Sequence, residues 1–286
     1  MLTRQTIHDV VGAALAEDAP WGDVTSELLI PETASATARL SAREPGTFSG
    51  GAVFTAAMTL TDPAIRVELL VADGDVFEAG DTLATVSGPA RSVLQGERVA
   101  LNFVQRMSGI ATLTSAFVRE VAHTSARIVD TRKTTPGLRA FERHAVRSGG
   151  GHNHRYSLSD AVMAKDNHLA VLTAQTGLSV TDALRAVRSR MSHTTHLEVE
   201  VDRIDQIEPV LAAGVDTIML DNFTLDELRA GVAIVGGRAI VEASGNVSLS
   251  TVREIAETGV DVISSGALTH SVRSLDLGLD VVVDGP

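Results

Sequence analysis

Of the 24 lysines and arginines in this chain only two are lysine, Lys133 and Lys165, and both lie in a stretch that also holds four of the nine histidines. A chain that uses arginine for nearly every cation keeps lysine where a compact ammonium on a thin stem, with a movable pKa, does what a planar guanidinium cannot. The first lysine sits in DTRKTTPGLR (130–139) and the second in GGGHNHRYSLSDAVMAKDNHL (149–169). Arg132, Lys133, His154, Arg155 and Lys165 are thereby offered as one cationic cluster, suited to a small ligand with several negative charges.

Acidic groups follow. In THLEVEV (195–201), Glu198 and Glu200 are two apart and project to the same side of a strand. Ionised carboxylates buried together need cations, hydroxyls or a metal. Glu200, nearer the strand end, is expected at the ligand, and Glu198 deeper in the interior. TIMLD ends in Asp221-Asn222. Two small-residue turns, Ser244-Gly245-Asn246 and Ser265-Gly266, each precede a predicted helix and offer backbone N–H groups to a phosphate, with His270 as a further donor. The ligand is drawn in parts: a phosphate at Ser244, Gly245, Asn246, Ser265, Gly266 and His270, hydroxyls or a metal at Glu200 and Asp221, and anionic groups at the cationic cluster. A phosphorylated sugar bridging to a polyanion fits.

Two kinds of element must position these groups. From about Ala36 to Gly88 short alternating strands are separated by EPGTFSGG, ADGDVFEAGD and SGPA, a small sheet-rich module. A helical pattern then runs from about Ser92 to Ala122, interrupted near Ser108 and Gly109. Beyond Ala126 short apolar strands alternate with amphipathic helices, at 126–130, 160–164, 195–201, 217–221, 239–243 and 262–265. An internal echo, VLAAGVDTIMLDN and IAETGVDVISSGA, places Gly214 and Gly259 at helix C-terminal stops. A (β/α) barrel is the expected architecture, with an open doubly wound sheet as the alternative. Barrels gather chemistry at the C-terminal ends of their strands, where Arg132, Lys133, Lys165, Asp221 and the two small-residue turns fall.

The formal charge of -12 disfavours nucleic acid and anionic membrane surfaces, so a local basic cluster reads as a pocket for a small anion. With no cysteine there is no disulfide framework, thiolate metal site or thiol nucleophile. The first residues do not read as a signal peptide and no segment has the apolar length of a membrane span, so a cytoplasmic protein is expected.

EDAPWGDVTS (17–26), GERVALNFVQRMSGIAT (96–112), DTRKTTPGLR (130–139), AVRSGGGHNHRYSLSDAVMAKDNH (145–168), LEVEVD (197–202), MLDN (219–222), EASGN (242–246) and SSGALTHSV (264–272) together resemble the quinolinate phosphoribosyltransferases, the carboxylating nicotinate-nucleotide pyrophosphorylases. The resemblance implies an N-terminal α/β sandwich domain (1–110, with the 272–286 tail packing on it) and an incomplete (β/α) barrel of about six or seven parallel strands (111–271). It implies transfer of the phosphoribosyl group of 5-phosphoribosyl-1-pyrophosphate to quinolinate with decarboxylation, Mg²⁺, and a homodimer whose sandwich domain covers the partner's barrel mouth. Arg132, His154, Arg155 and Lys165 would bind the quinolinate carboxylates together with Arg98 from the second copy. Lys133 would face pyrophosphate, Glu200 and Asp221 the ribose hydroxyls or Mg²⁺, and the glycine loops with His270 the 5-phosphate. Asn246 departs from the glycine expected there.

Other readings remain at this point. A Schiff-base aldolase would also use a strand-end lysine and a phosphate loop, although arginines crowd Lys165. A non-decarboxylating nicotinate transferase would need fewer carboxylate-binding groups. The DGDVFEAGD turn is similar to lipoyl-carrier modules but has no lysine to modify. A pure anion-binding protein would leave Glu200 and Asp221 without a task.

Overall fold

The computed structural model of the chain describes residues 2–283. In chain order the elements are α1 (Arg4–Asp18), α2 (Val24–Leu29), β1 (Ser35–Ala42), β2 (Gly46–Thr47), α3 (Gly51–Thr61), β3 (Arg66–Leu69), β4 (Val76–Phe77), β5 (Thr82–Pro89) and α4 (Ala90–Val121). There follow β6 (Arg127–Val129), α5 (Arg139–Ser148), β7 (Val162–Ala164), α6 (Asp166–Thr176), α7 (Val180–Arg188), β8 (Leu197–Val201), α8 (Ile207–Leu211), β9 (Thr217–Asp221), α9 (Leu225–Val235), β10 (Ile240–Ser244), α10 (Val252–Ala256), β11 (Val262–Ser264), α11 (Ala267–His270) and β12 (Leu277–Val283). Residues up to Ser115, Thr134–Gly150 and the chain from Leu268 onward form one unit, and Ala116–Lys133 with Gly151–Ala267 form the other.

In the first unit an antiparallel sheet runs in the order β12-β1-β5-β3. Ala36, Ala38 and Leu40 alternate onto the buried face of β1. The small module also contains α3, which the turn-rich reading of 36–88 did not anticipate. Its residues GAVFTAAMTLT are apolar on nearly every side, so helical periodicity is weak. Its N-terminus is satisfied from a distance, since Asp73 accepts the Gly50 and Gly51 N–H groups at 3.0 Å each.

The expected interruption of the long helix at Ser108 and Gly109 is absent: α4 is continuous from Ala90 to Val121. Those residues are small because backbone approaches them. A Cβ on Gly109 would lie 2.2 Å from the Arg273 carbonyl oxygen, and Ser108 Oγ accepts the Ser49 N–H at 3.1 Å. Nor is a cut at residue 110 the whole division of the chain, because α5 clusters with the first unit. There Glu142 takes Arg106 at 2.9 Å and Thr135 at 2.8 Å, and Ser148 meets Ser49 at 2.9 Å.

The second unit holds six parallel strands in the order β6-β11-β10-β9-β8-β7. Successive strands β7 to β11 are neighbours, and the first strand lies beside the last. That is the cyclic order of a (β/α) barrel with its seam open between β6 and β7, whereas a doubly wound sheet reverses direction in the middle. A parallel bridge from Val129 to His152 sets the following residues along the β6 side of the seam. Gly214 and Gly259 have φ of 77° and 92°, the left-handed stops expected after α8 and α10.

Candidate active site

At the end of β6, Asp130 is fully buried and accepts the His154 N–H at 2.8 Å and the Asn153 side-chain amide at 2.5 Å. This pairing fixes the 152–155 segment beside the strand that supplies Arg132. Arg155 donates from Nη1 to the Ala161 carbonyl at 3.1 Å and places Nη2 3.4 Å from Met163 Sδ. Burial lowers its pKa, and the neighbouring Arg132 charge lowers it further, while Glu198 opposes. A bound anion would favour the charged form of both guanidiniums.

His154 stands behind them. Its Nε2 lies 3.3 Å from Glu198 and 3.5 Å from Glu242, both buried. Burial disfavours the imidazolium, but hydrogen bonds and charge from Glu198 and Glu242 outweigh it and raise the pKa to about 10. The Arg155 N–H pulls the other way, since it donates to Nδ1 at 2.7 Å and an Nδ1 carrying a proton has no lone pair to offer. One proton is therefore fixed on Nε2, and a second is contested between Nδ1 and Glu198, whose carboxyl burial pushes up. The ring expected on a substrate carboxylate is thus engaged by two glutamates, because those buried groups themselves need a cation. The ligand atoms of this trio lie within 4.8 Å of one another, as a metal site would require. Yet a metal on Nε2 would need Nδ1 protonated, the atom that accepts the Arg155 amide, so proton sharing describes the trio better.

Glu200, on the same strand face, lies nearer the mouth and receives Lys165 Nζ at 2.5 Å. A cavity of about 890 Å³ opens beside it, lined by Asp166, Asn167, Glu200, Asp202, Asp221 and Asn222 among others. Glu200 and Asp221 end adjacent strands, Val201 pairing with Leu220. Their hard oxygen donors suit Mg²⁺ completed by water. Lys133 is exposed beyond β6, with its N–H on Thr131 Oγ1 at 3.1 Å.

The late loops differ from expectation in their helices. Val252 opens α10 six residues past Asn246, and α11 is a single turn of four residues, so neither loop feeds a long helix dipole. Ser244, Gly245 and Asn246 instead form a turn with φ of 95° at Gly245 and 49° at Asn246. Ser265 spends both donors on the scaffold, its N–H on Val129 O at 3.1 Å and its hydroxyl on Val247 O at 3.2 Å, so it ties the late loops together rather than facing a ligand. Gly266 follows it. Arg98 and His270 belong to the first unit: Arg98 is exposed on α4, and His270 ends α11 with Nδ1 on the Ser271 hydroxyl. Sequence reasoning did not single out Asp130, Glu242 or Asn222 as site residues. Glu242 was visible within EASGN as an acidic residue in the middle of an otherwise apolar strand.

A parallel barrel presenting Arg132 and Arg155, an acidic pair and small-residue late loops at its strand ends suits an enzyme that acts on an anionic substrate. Residues 23–108 match the quinolinate phosphoribosyl transferase N-terminal domain and residues 110–280 its C-terminal domain, so the chain belongs to that family. It is 43% identical over 282 residues to a nicotinate-nucleotide pyrophosphorylase [carboxylating] of Mycobacterium leprae, covering 96% of each chain. A probable enzyme of the same name from Bacillus subtilis is 41% identical over 267 residues, 93% of this chain and 90% of that one. The crystal structure of NadC from Streptococcus pyogenes superposes with a TM-score of 0.93 at 39% identity, covering 100% of this chain and 99% of the other.

Proposed function

We propose that this chain transfers the phosphoribosyl group of 5-phosphoribosyl-1-pyrophosphate to quinolinate with decarboxylation, giving nicotinate mononucleotide, pyrophosphate and carbon dioxide for NAD biosynthesis. The observation that carries it is the gathering of Arg132 and Arg155, close enough for the charge of one to be felt by the other, next to carboxylates at the ends of β8 and β9 in a chain of this family. Arg132 and Arg155 offer forked donors to quinolinate. Lys165, half-exposed, exchanges Glu200 for the second carboxylate. His154 backs Arg155 through its backbone amide, and Arg98 reaches the site from a second copy of the chain.

As pyrophosphate departs, the anomeric carbon becomes oxocarbenium-like, and Glu200 and Asp221 favour the developing positive charge. Lys133 meets the leaving group. The pyridine nitrogen supplies the electron pair of the new C–N bond. Once quaternary, the ring accepts the electron pair left at the adjacent carbon as carbon dioxide leaves, and a proton then replaces the carboxylate. Mg²⁺ at Glu200 and Asp221 would neutralise charge on the departing pyrophosphate. The loop 244–246 and Gly266 take the 5-phosphate.

Homodimerisation is supported by an apolar run on the surface of the first unit, where Trp21 is 92% exposed and Leu28 and Leu29 lie beyond it on α2. No helix among the described residues is long and apolar enough to cross a membrane. We place the enzyme in the cytoplasm. The decisive experiment measures carbon dioxide from carboxyl-labelled quinolinate: release should require the phosphoribosyl donor, and release without it, or none with it, rejects the function. Mixing inactive Arg98→Ala and Lys165→Ala proteins should restore partial activity, and no recovery would reject a shared site.

A further inference from the structure

The carboxylate placed on the ribose is held by a neighbour that no role has yet been given. Asn222 Nδ2 donates to Asp221 Oδ2 at 2.6 Å. A carboxylate can only accept, so the Asn222 amide must turn its oxygen away from Asp221. That oxygen accepts from Asn246 Nδ2 at 3.4 Å, in the loop after β10. The Asn222 N–H continues the ladder to Ser244 O at 3.0 Å.

The same loop also leans on Asn222 by packing. A Cβ built on Gly245 would fall 2.3 Å from Asn222 Oδ1 and 2.7 Å from its Cγ, so the glycine backbone rests against the amide. Asn222 and Asn246, with φ of 59° and 49°, are the non-glycine residues with positive φ among the described residues. Glycine would adopt either conformation with less strain, so the asparagine side chains are there for their bonds.

We propose that Asn222, braced by Asn246, is a positioning residue that couples the phosphate-binding loop 244–246 to the ribose carboxylate Asp221. A phosphate seated on the loop holds Gly245 and Asn246 against Asn222, and Asn222 holds Asp221 at the ribose. The two ends of the donor are thereby read together. This rests on the phosphoribosyl-transfer reading above.

Asn222→Gly and Asn246→Gly test it, because glycine accepts both left-handed backbones and each variant should fold with an unaltered thermal midpoint. Each should lower kcat/KM for the phosphoribosyl donor about fivefold, the value of one lost hydrogen bond, through a raised KM for the donor, with the KM for quinolinate unchanged. The effects should not multiply: Asn246→Gly should add almost nothing to Asn222→Gly. Independent, multiplying effects, an unchanged donor KM, or an equal rise in the quinolinate KM overturns the coupling while the wild type remains active. A wild type that releases no carbon dioxide overturns the parent reading and this one with it.

Discussion

Arg132, Arg155 and His154 show how a site is set by charges that act on one another. The two guanidiniums repel, the two glutamates behind them are buried, and the imidazole between mediates. Arg132→Ala should raise the KM for quinolinate about tenfold or more, the value of a charge-assisted fork, with a smaller effect on the donor. Glu200→Ala and Asp221→Ala should instead slow turnover; equal kinetics in all three variants would remove the assignments. NMR of the ring nitrogens should find His154 keeping its Nε2 proton through neutral pH and losing the second proton only near 10. Replacing Glu242 by glutamine should bring that value down. A wild-type ring titrating in the ordinary histidine range would refute the shared-proton arrangement.

At the scale of elements, the site depends on where helices and strands end and on where they touch. Asp130 closes β6 by drawing in the 152–155 segment, which brings residues 22 or more positions apart in sequence to one strand end. The long helix α4 illustrates a limit of local signals: serine and glycine read as a break, whereas they admit the Arg273 carbonyl. Gly109→Ala keeps helix propensity and should still destabilise, by about 1–3 kcal/mol, because the contact is backbone and cannot swing aside. A urea midpoint equal to or above the wild type would show that the segment can yield.

For the molecule as a whole, the C-terminal strand β12 completes the first unit's sheet beside β1, with Ser41 donating to Asp280 at 2.7 Å. The turn before it is anchored by Glu44, which accepts Arg273 Nη1 at 2.7 Å and the Asp276 N–H at 2.8 Å. Arg273 first, and the Asp276 amide second, bring the Glu44 carboxyl down from 4.5 to about 2. Its folded pKa is depressed, so this contribution to stability is complete above 4.5 and is lost as pH falls toward 2. Protection of the β12 amides, taken relative to their intrinsic exchange rate at each pH, should fall across that window, and Glu44→Gln should flatten the response. Protection in β12 that is insensitive to acid would place the anchor elsewhere.

The six parallel strands were legible because each is a short apolar run ending in a polar or small residue, a local property of sequence. The cationic stretch and Glu200 were legible through residue type and two-residue spacing. Helix α3 was not, because Asp73 caps it from beyond its own C-terminus, and neither was the continuity of α4. The sequence by itself determined the alternation of elements, the residue types at the strand ends and the family. Only the tertiary structure decided that His154 serves two buried glutamates, that Ser265 is scaffold and that Asn246 reaches Asn222. Those outcomes turn on distances of a few ångströms between separate strands, and burial and hydrogen-bond direction are properties of neighbours that one-dimensional spacing does not carry.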